Sequence, residues 1–115
     1  MIKPIIVRNS RVPVVLSVFM RIAAITLWPF VFIREGCDDE RLIHHESIHI
    51  YQFWECGVVG FYPIYLWDWL RGWLKYKDVV VAYRHIRFEQ EAYQHEADTE
   101  YLTQRKRFAW RNYQV

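Results

Sequence analysis

The sequence predicts one α+β domain in which short strands come first and three helices follow. Its 115 residues are enough for one domain with its own core and too few for two. β-Branched apolar runs interrupted by prolines fill the N-terminal part of the chain, whereas helix caps and helical spacing of apolar residues mark the part after position 38. No internal repeat divides the sequence, so we expect residues 1–115 to form a single domain.

Strands are expected in the apolar runs near the N-terminus. Residues 5–7 predict a short strand, and residues 12–19 predict either a strand or a short helix. Residues 22–33 are rich in Ile, Val, Phe and Trp and predict a strand or a strand pair. Pro29 within this run indicates a sheet edge or a bulge, because proline has no N–H to donate to a neighbouring strand. A turn at residues 34–36 is expected to close the run.

The first helix is expected at residues 39–56. Asp38 and Asp39 offer an N-cap and negative charge at a helix N-terminus, and Gly57 is a typical C-terminal stop. One side of this helix combines polar and apolar residues, namely Leu42, His45, His49, Gln52 and Phe53. The sequence therefore predicts a helix that contributes both to a polar site and to the core.

A second helix is expected at residues 61–77. Asp68, Arg71 and Lys75 form a narrow polar stripe at helical spacing, and almost every other residue is aromatic, Leu or Ile. Such a helix is either packed on most sides, which is the commoner case, or lies at a membrane interface. Residues 79–83 predict a short β-like or irregular link, and residues 88–108, which are rich in Glu and Gln, predict the third helix.

Composition limits the class of partner. Aromatic residues make up 18% of the chain, an excess that indicates either a bulky core or a face that contacts lipid or a partner. The net charge of +2 is too small to indicate nucleic-acid binding. The basic residues at 105–107 are explained by a solvated helix end. We expect no nucleic-acid partner and leave the oligomeric state open.

The cysteines and the N-terminus bear on the compartment. Cys37 and Cys56 provide no disulfide framework and no Cys-x-x-Cys zinc pattern, and free thiols in a reducing compartment are favoured over a single bridge. Basic residues before the apolar run at 12–20 loosely resemble a signal peptide, but Arg21 ends that run without a clear cleavage site. We therefore expect a cytoplasmic protein, with secretion left open.

The motif His45-Glu46-Ser47-Ile48-His49 is the most informative part of the sequence for function. On a helix its two histidines lie about 40° apart around the axis, so both imidazoles can bind one metal ion. Glu46 lies about 100° from His45 around the helix axis, so its carboxylate can contact a water bound to that ion from the side. The spacing matches zinc-dependent hydrolysis, in which two neutral nitrogen ligands stand beside a carboxylate base.

A catalytic zinc needs a third protein ligand. The extended motif that would place a glycine at 52 and a histidine at 55 is absent, because Gln52 and Glu55 occupy those positions. A carboxylate from another helix is the alternative, and Glu89 and Glu91 are the candidates. These two lie about 200° apart around a helix, so both cannot face the same ion.

The motif from His45 to Gln52, followed by Phe88-Glu89-Gln90-Glu91-Ala92-Tyr93, resembles the small gluzincin-type metallopeptidase domains of bacteria and phages. The resemblance implies a zincin-like fold, a zinc ion held by His45, His49 and Glu89, and cleavage of a peptide or protein substrate. Tyr93 stands where many gluzincins carry Asp, so an orienting carboxylate is not implied at that position.

Together these observations predict a zinc-dependent hydrolase, with peptidase as the favoured class and Glu46 as the residue that activates the metal-bound water. The group that stabilises the oxyanion stays open among Tyr83, Arg84, His85 and Tyr93. Two alternatives are a non-catalytic, metal-stabilised scaffold, such as a phage accessory protein acting in the host cell, and a membrane-surface protein attached through residues 61–77. Gln52 and Asp98 are candidates for orienting the histidine rings.

Overall fold

Three short strands form one small sheet. The structure is a computed structural model that describes residues 5–11, 24–27, 30–34 and 39–115. Strand β1 is Ile5–Ser10, β2 is Ala24–Leu27 and β3 is Phe30–Arg34. β3 is central and pairs in parallel with β1 and antiparallel with β2.

The strand predictions at residues 5–7 and within 22–33 are confirmed, the latter as a strand pair. Residues 12–19, Pro29 and the turn after Arg34 lie outside the described residues. Cys37 lies outside them as well, so the expectation that Cys37 and Cys56 are free thiols rather than a bridge stays a prediction.

The first helix, α1, is Glu40–Glu55 and agrees with its prediction to within a residue at each end. The carboxylate of Asp39 accepts a hydrogen bond of 2.8 Å from the Leu42 N–H, which satisfies a donor that the helix itself leaves unpaired. The helix stops at Gly57, whose φ of +67° is strained for residues with a Cβ. Local capping chemistry therefore sets both ends of the helix that carries the histidines.

The second helix, α2, is Phe61–Tyr76, but its surroundings differ from the favoured prediction. Packing on most sides was expected; only Phe61, Asp68 and Gly72 are buried. Asp68 is fully buried, and hydrogen bonds from Arg87 Nε at 2.8 Å and from Arg71 Nη2 at 2.9 Å compensate for the lost hydration of its charge. Asp68 of the polar stripe therefore faces the protein interior, whereas large apolar side chains of the helix face the solvent.

A short helix, α3, covers Val79–Arg84, so the prediction of a β-like or irregular link is wrong. The β-branched residues here favour a strand, but the carboxylate of Asp78 accepts hydrogen bonds of 2.9 Å from the N–H groups of Val80 and Val81. This cap starts a helical turn despite the local preference.

The fourth helix, α4, is Arg87–His95, and the single helix predicted at 88–108 is therefore wrong in length. After α4 the chain forms a short helix, α5, at Tyr101–Gln104 and a 3₁₀ helix at Ala109–Asn112. In one straight helix Tyr101 would lie about 15 Å along the axis from Glu91. Instead its hydroxyl donates a 2.6 Å hydrogen bond to the Glu91 carboxylate, so the chain turns back after α4.

Stacked aromatic rings join three of the helices. Phe61 of α2 lies between Phe53 of α1 and Phe88 of α4, with ring centroids 3.8 and 4.3 Å away. Trp110 of the 3₁₀ helix contacts Phe88 at 4.7 Å, and Ile86 completes the cluster. Burial of these rings fixes α1 against α4, which is the helix pair that forms the site described below.

The described residues form a mostly helical structure with one small sheet, which agrees with the helix-rich character of the predicted fold class. Among the helices of the described part of the chain, none combines the length and the apolar character needed to cross a bilayer.

Candidate metal centre

Helices α1 and α4 cross where His45, His49 and Glu89 meet. His45 Nε2 lies 3.1 Å from Glu89 Oε1, and His49 Nε2 lies 3.2 Å from the same oxygen. All three donor atoms lie within 4.8 Å of one another, and all three residues are buried. The two rings point the same way because they are separated by four residues of α1.

The geometry and the chemistry of this donor set fit a small tetrahedral ion. Ligand bonds of about 2.0–2.1 Å at a tetrahedral zinc place neighbouring ligand atoms about 3.3 Å apart. The two distances between histidine nitrogens and the Glu89 oxygen are close to that value. Two imidazoles and one carboxylate are also a donor set typical of a zinc ion that keeps a fourth position for water.

Each of the three candidate ligands is oriented by a further hydrogen bond. His45 Nδ1 donates to Glu96 Oε2 at 2.8 Å, and His49 Nδ1 donates to Gln52 Oε1 at 2.7 Å. Carboxylate and amide oxygens accept these hydrogen bonds, so Nδ1 of each ring carries a proton, and Nε2 is the ring atom that would bind a cation after losing its own proton. The hydroxyl of Tyr65 donates to Glu89 Oε2 at 2.6 Å, which leaves Oε1 facing the histidines.

The electrostatics of the cluster show what a cation would replace. Burial lowers the pKa of His49, but the carboxylate of Glu89 outweighs this effect and raises that pKa to about 10. The same carboxylate raises the pKa of His45. Burial acts to raise the pKa of Glu89, yet the two histidines hold it well below its usual range. Protons on the two rings therefore balance the buried carboxylate, and a bound cation would displace them.

Glu46 is the predicted base, and its carboxylate lies near the candidate ligands. The residue is buried, and its charge contributes to the raised pKa values of His45, His49 and Tyr65. Its place next to His45 on α1 puts it about 100° further around the helix. The structure therefore brings Glu46 to the same region of the molecule as the three candidate ligands.

Glu91, the other candidate for the third ligand, is engaged elsewhere. Its carboxylate is fully buried and accepts hydrogen bonds from Arg105, from the Tyr101 hydroxyl at 2.6 Å and from Gln52 Nε2 at 3.0 Å. Burial acts to raise the pKa of Glu91, but these donors lower it below its usual value. Glu91 thus supports Gln52, which in turn holds His49.

The four residues predicted as candidates to stabilise an oxyanion are only partly brought to the site. The hydroxyls of Tyr83 and Tyr93 are 2.8 Å apart, and the Tyr93 ring lies 4.4 Å from the His45 ring between centroids. The Arg84 guanidinium lies 3.8 Å over the Tyr93 ring. His85 instead donates from Nδ1 to the Val81 carbonyl and stacks on another ring, which leaves it turned towards its own helix.

Sequence reasoning missed two residues of this centre. Tyr65 was one of many aromatic residues in α2, and no spacing rule distinguishes it from its neighbours. Glu96 was not distinguished from the other acidic residues of the predicted third helix, and Asp98 was the acidic residue considered for orienting a histidine. The structure assigns that contact to Glu96, whereas the Asp98 carboxylate accepts from the Glu100 N–H at 3.0 Å.

Comparison with known proteins identified no relative of this chain. No protein-family model, curated protein or solved structure matches the chain. The resemblance to gluzincin-type domains therefore rests on the motif residues themselves.

Proposed function

We propose that the protein is a zinc-dependent hydrolase that acts on peptide bonds and uses a zincin-like arrangement of α1 and α4. The observation that carries this proposal is the convergence of His45, His49 and Glu89, each with its own orienting hydrogen bond. Such orienting partners are typical of metal ligands, whose rings and carboxylates must be held in one direction.

The residues of the chain have separate roles in this proposal. His45, His49 and Glu89 would hold the ion, which supplies Lewis acidity and an acidified water. Glu46 would accept a proton during attack on the carbonyl and pass it to the leaving amine. The hydroxyl pair of Tyr83 and Tyr93, on the His45 side, would donate to the carbonyl oxygen as its negative charge grows.

A peptide substrate is supported by the resemblance in the motif and by the size of the chain. A domain of this size has little room of its own for a deep specificity cleft. A flexible peptide or an exposed loop of another protein therefore fits the proposal better than a compact small molecule.

The test of this proposal separates metal binding from turnover. We expect purified wild-type protein to hold about one zinc per chain and to cleave members of an unstructured peptide library. Glu46→Gln should keep the zinc and lose about 100-fold or more in rate, because it removes the proton acceptor without removing a ligand. Glu40→Gln, an exposed position on the same helix, is the matched control and should behave as the wild type.

Ligand variants complete the test. His45→Ala and Glu89→Ala should each lose zinc, measured by elemental analysis after gel filtration. Zinc retained in Glu89→Ala would contradict the assignment of the third ligand. Equal activity in Glu46→Gln and in the wild type would contradict its role as the base.

A second candidate function is that of a metal-stabilised scaffold without turnover. The observation that favours it is burial: the exposed fractions of His45, His49 and Glu89 are 3%, 4% and 4%. Structural metal sites are closed, whereas catalytic ones keep a position open to water. Zinc that raises the melting temperature equally in wild type and Glu46→Gln, with no cleavage by either, would favour the scaffold.

A further inference from the structure

Large apolar side chains cover the outer side of α2. We call the α2 apolar face the set Tyr62, Leu66, Trp67, Leu70, Trp73 and Leu74. The exposed fractions of Leu66, Trp67 and Leu74 are 63%, 58% and 55%. At 100° per residue the six positions lie within an arc of about 140°, so they form one continuous face. Single exposed apolar residues are ordinary on protein surfaces, but a continuous face of this kind marks an interaction site.

Basic residues border the α2 apolar face. Arg71 and Lys75 occupy the next part of the helix circumference, and Lys77 follows the last turn. The Arg71 guanidinium lies 6.0 Å from the Trp67 ring, and the Lys77 ammonium lies 5.6 Å from the Trp73 ring. The one acidic residue of the helix, Asp68, is fully buried. Asp68 is shared between Arg71 and Arg87, and the exposed Asp78 follows Lys77, so the charged groups beside the α2 apolar face carry an excess of positive charge.

The inner side of α2 is fixed by specific contacts, so the apolar face cannot turn inwards. Asp68 binds Arg87 at the start of α4, and the Tyr65 hydroxyl binds Glu89. A Cβ built on Gly72 would lie 3.1 Å from the Cα of Ala82, which shows how closely α3 approaches this side of the helix. Rotation of α2 would break these contacts together.

We propose that α2 lies in the surface of an anionic lipid bilayer, with its apolar face among the acyl chains and its basic residues at the phosphates. Amphipathic helices of this kind bind through buried apolar area and attraction to anionic lipid, and Trp side chains favour the interfacial depth. A second copy of the chain is a poorer partner, because two such surfaces would bring two regions with an excess of positive charge together.

Sedimentation of the full chain with vesicles tests this proposal. The probes are phosphatidylcholine vesicles and phosphatidylcholine vesicles that also contain phosphatidylserine. We expect the wild type to bind the anionic vesicles about tenfold or more tightly than the neutral ones, because each basic residue near the surface contributes attraction. Lys75→Gln combined with Lys77→Gln should reduce this preference to within about twofold.

Two tryptophan variants assign the binding to α2. Trp67→Gln should weaken binding to anionic vesicles about tenfold or more, because it removes a large part of the inserted surface. Trp54→Gln is the matched control, since Trp54 lies on α1 with an exposed fraction of 60%, and it should bind within about twofold of the wild type. Leu66→Gln is a second variant of the same face. Unchanged far-ultraviolet circular dichroism verifies that each variant is folded.

Four results would overturn the proposal. The first is a wild-type chain that sediments with neither type of vesicle, and the second is equal binding to both types. The third is an equal loss of binding in Trp54→Gln and Trp67→Gln, which would show that α2 has no special role. The fourth is a dimer, detected by sedimentation velocity without lipid, that Trp67→Gln dissociates, since a second copy would then cover the face.

Discussion

Replacement of Gln52 by Met tests whether the orientation of His49 depends on this buried amide. Gln52 is fully buried, and its Oε1 accepts the 2.7 Å hydrogen bond from His49 Nδ1. Its Nε2 donates to the Phe88 carbonyl and to Glu91 Oε1, both at 3.0 Å. Methionine has a similar shape and no strong hydrogen-bonding group, so Gln52→Met removes these contacts with little change in packing.

The structure gives two magnitudes for this variant. Gln52→Met leaves the Phe88 carbonyl, the Glu91 carboxylate and the His49 ring each without one buried hydrogen-bond partner. Each such loss lowers the free energy of unfolding by about 1–3 kcal/mol. We expect the free energy of unfolding of the metal-free protein to fall by about 3 kcal/mol or more. Loss of the group that orients a ligand should also lower zinc affinity by about 10- to 100-fold.

Two measurements separate these effects. Urea unfolding of metal-free protein reports the free energy of unfolding, and titration against a chromophoric chelator reports zinc affinity. Ser47→Ala is the control on the same helix, because its hydroxyl donates only to the Ile43 carbonyl within α1. Zinc affinity of Gln52→Met within about twofold of the wild type would refute the role of Gln52 in positioning His49.

Further predictions concern the remaining contacts of the centre. Tyr65→Phe removes the 2.6 Å hydrogen bond to Glu89, and we expect zinc affinity to fall about tenfold in the same chelator titration. Glu96→Gln should lower zinc affinity, whereas Asp98→Asn should leave it unchanged, because Glu96 accepts a hydrogen bond from His45 and the Asp98 carboxylate accepts from the Glu100 N–H instead. The pKa of His49 is raised from 6.5 to about 10, so its pairing with Glu89 stabilises the metal-free protein fully below pH 6.5 and loses this effect between pH 6.5 and 10. We expect the melting temperature of metal-free protein to fall across that range while the increase caused by zinc grows; a metal-free melting temperature independent of pH there would contradict this reasoning.

Local sequence rules predicted the parts of the centre that depend on one helix. The spacing of His45 and His49 requires only that residues 39–56 be helical, and caps at Asp39 and Gly57 make that prediction secure. Gln52 was predicted on the same side of the helix, because it follows His49 by three residues, which is just under one helical turn. Glu89 was identified from its resemblance to a motif, and the structure brings it to the histidines without testing its role as a ligand.

Contacts between distant segments were the parts that the sequence did not predict. Tyr65 and Glu96 reach the centre from α2 and from the turn after α4, and no periodic pattern links those positions to residues 45–49. The predicted length of α4 was also wrong. Glu and Gln continue the helical pattern of the sequence past His95, so the sequence alone gives no sign that the helix ends there. The chain turns there because tertiary hydrogen bonds to Glu91 outweigh helix propensity, which is a weak preference for each residue.

Arg105 is buried among carboxylates, so the expectation of a solvated helix end at residues 105–107 is wrong for this residue. Arg105 donates to Glu55 Oε2 at 2.8 Å and also to the Glu91 carboxylate, and the side chains of all three residues are almost completely buried. Burying such a cluster costs desolvation energy that its attraction only partly recovers, so its presence is weak evidence for a gain in stability. Its position is more informative: Glu91 accepts from Gln52, and Gln52 accepts from His49. The turn after α4 places Arg105 beside Glu91, and a chain of hydrogen bonds runs from Arg105 through Glu91 and Gln52 to the candidate metal ligand His49.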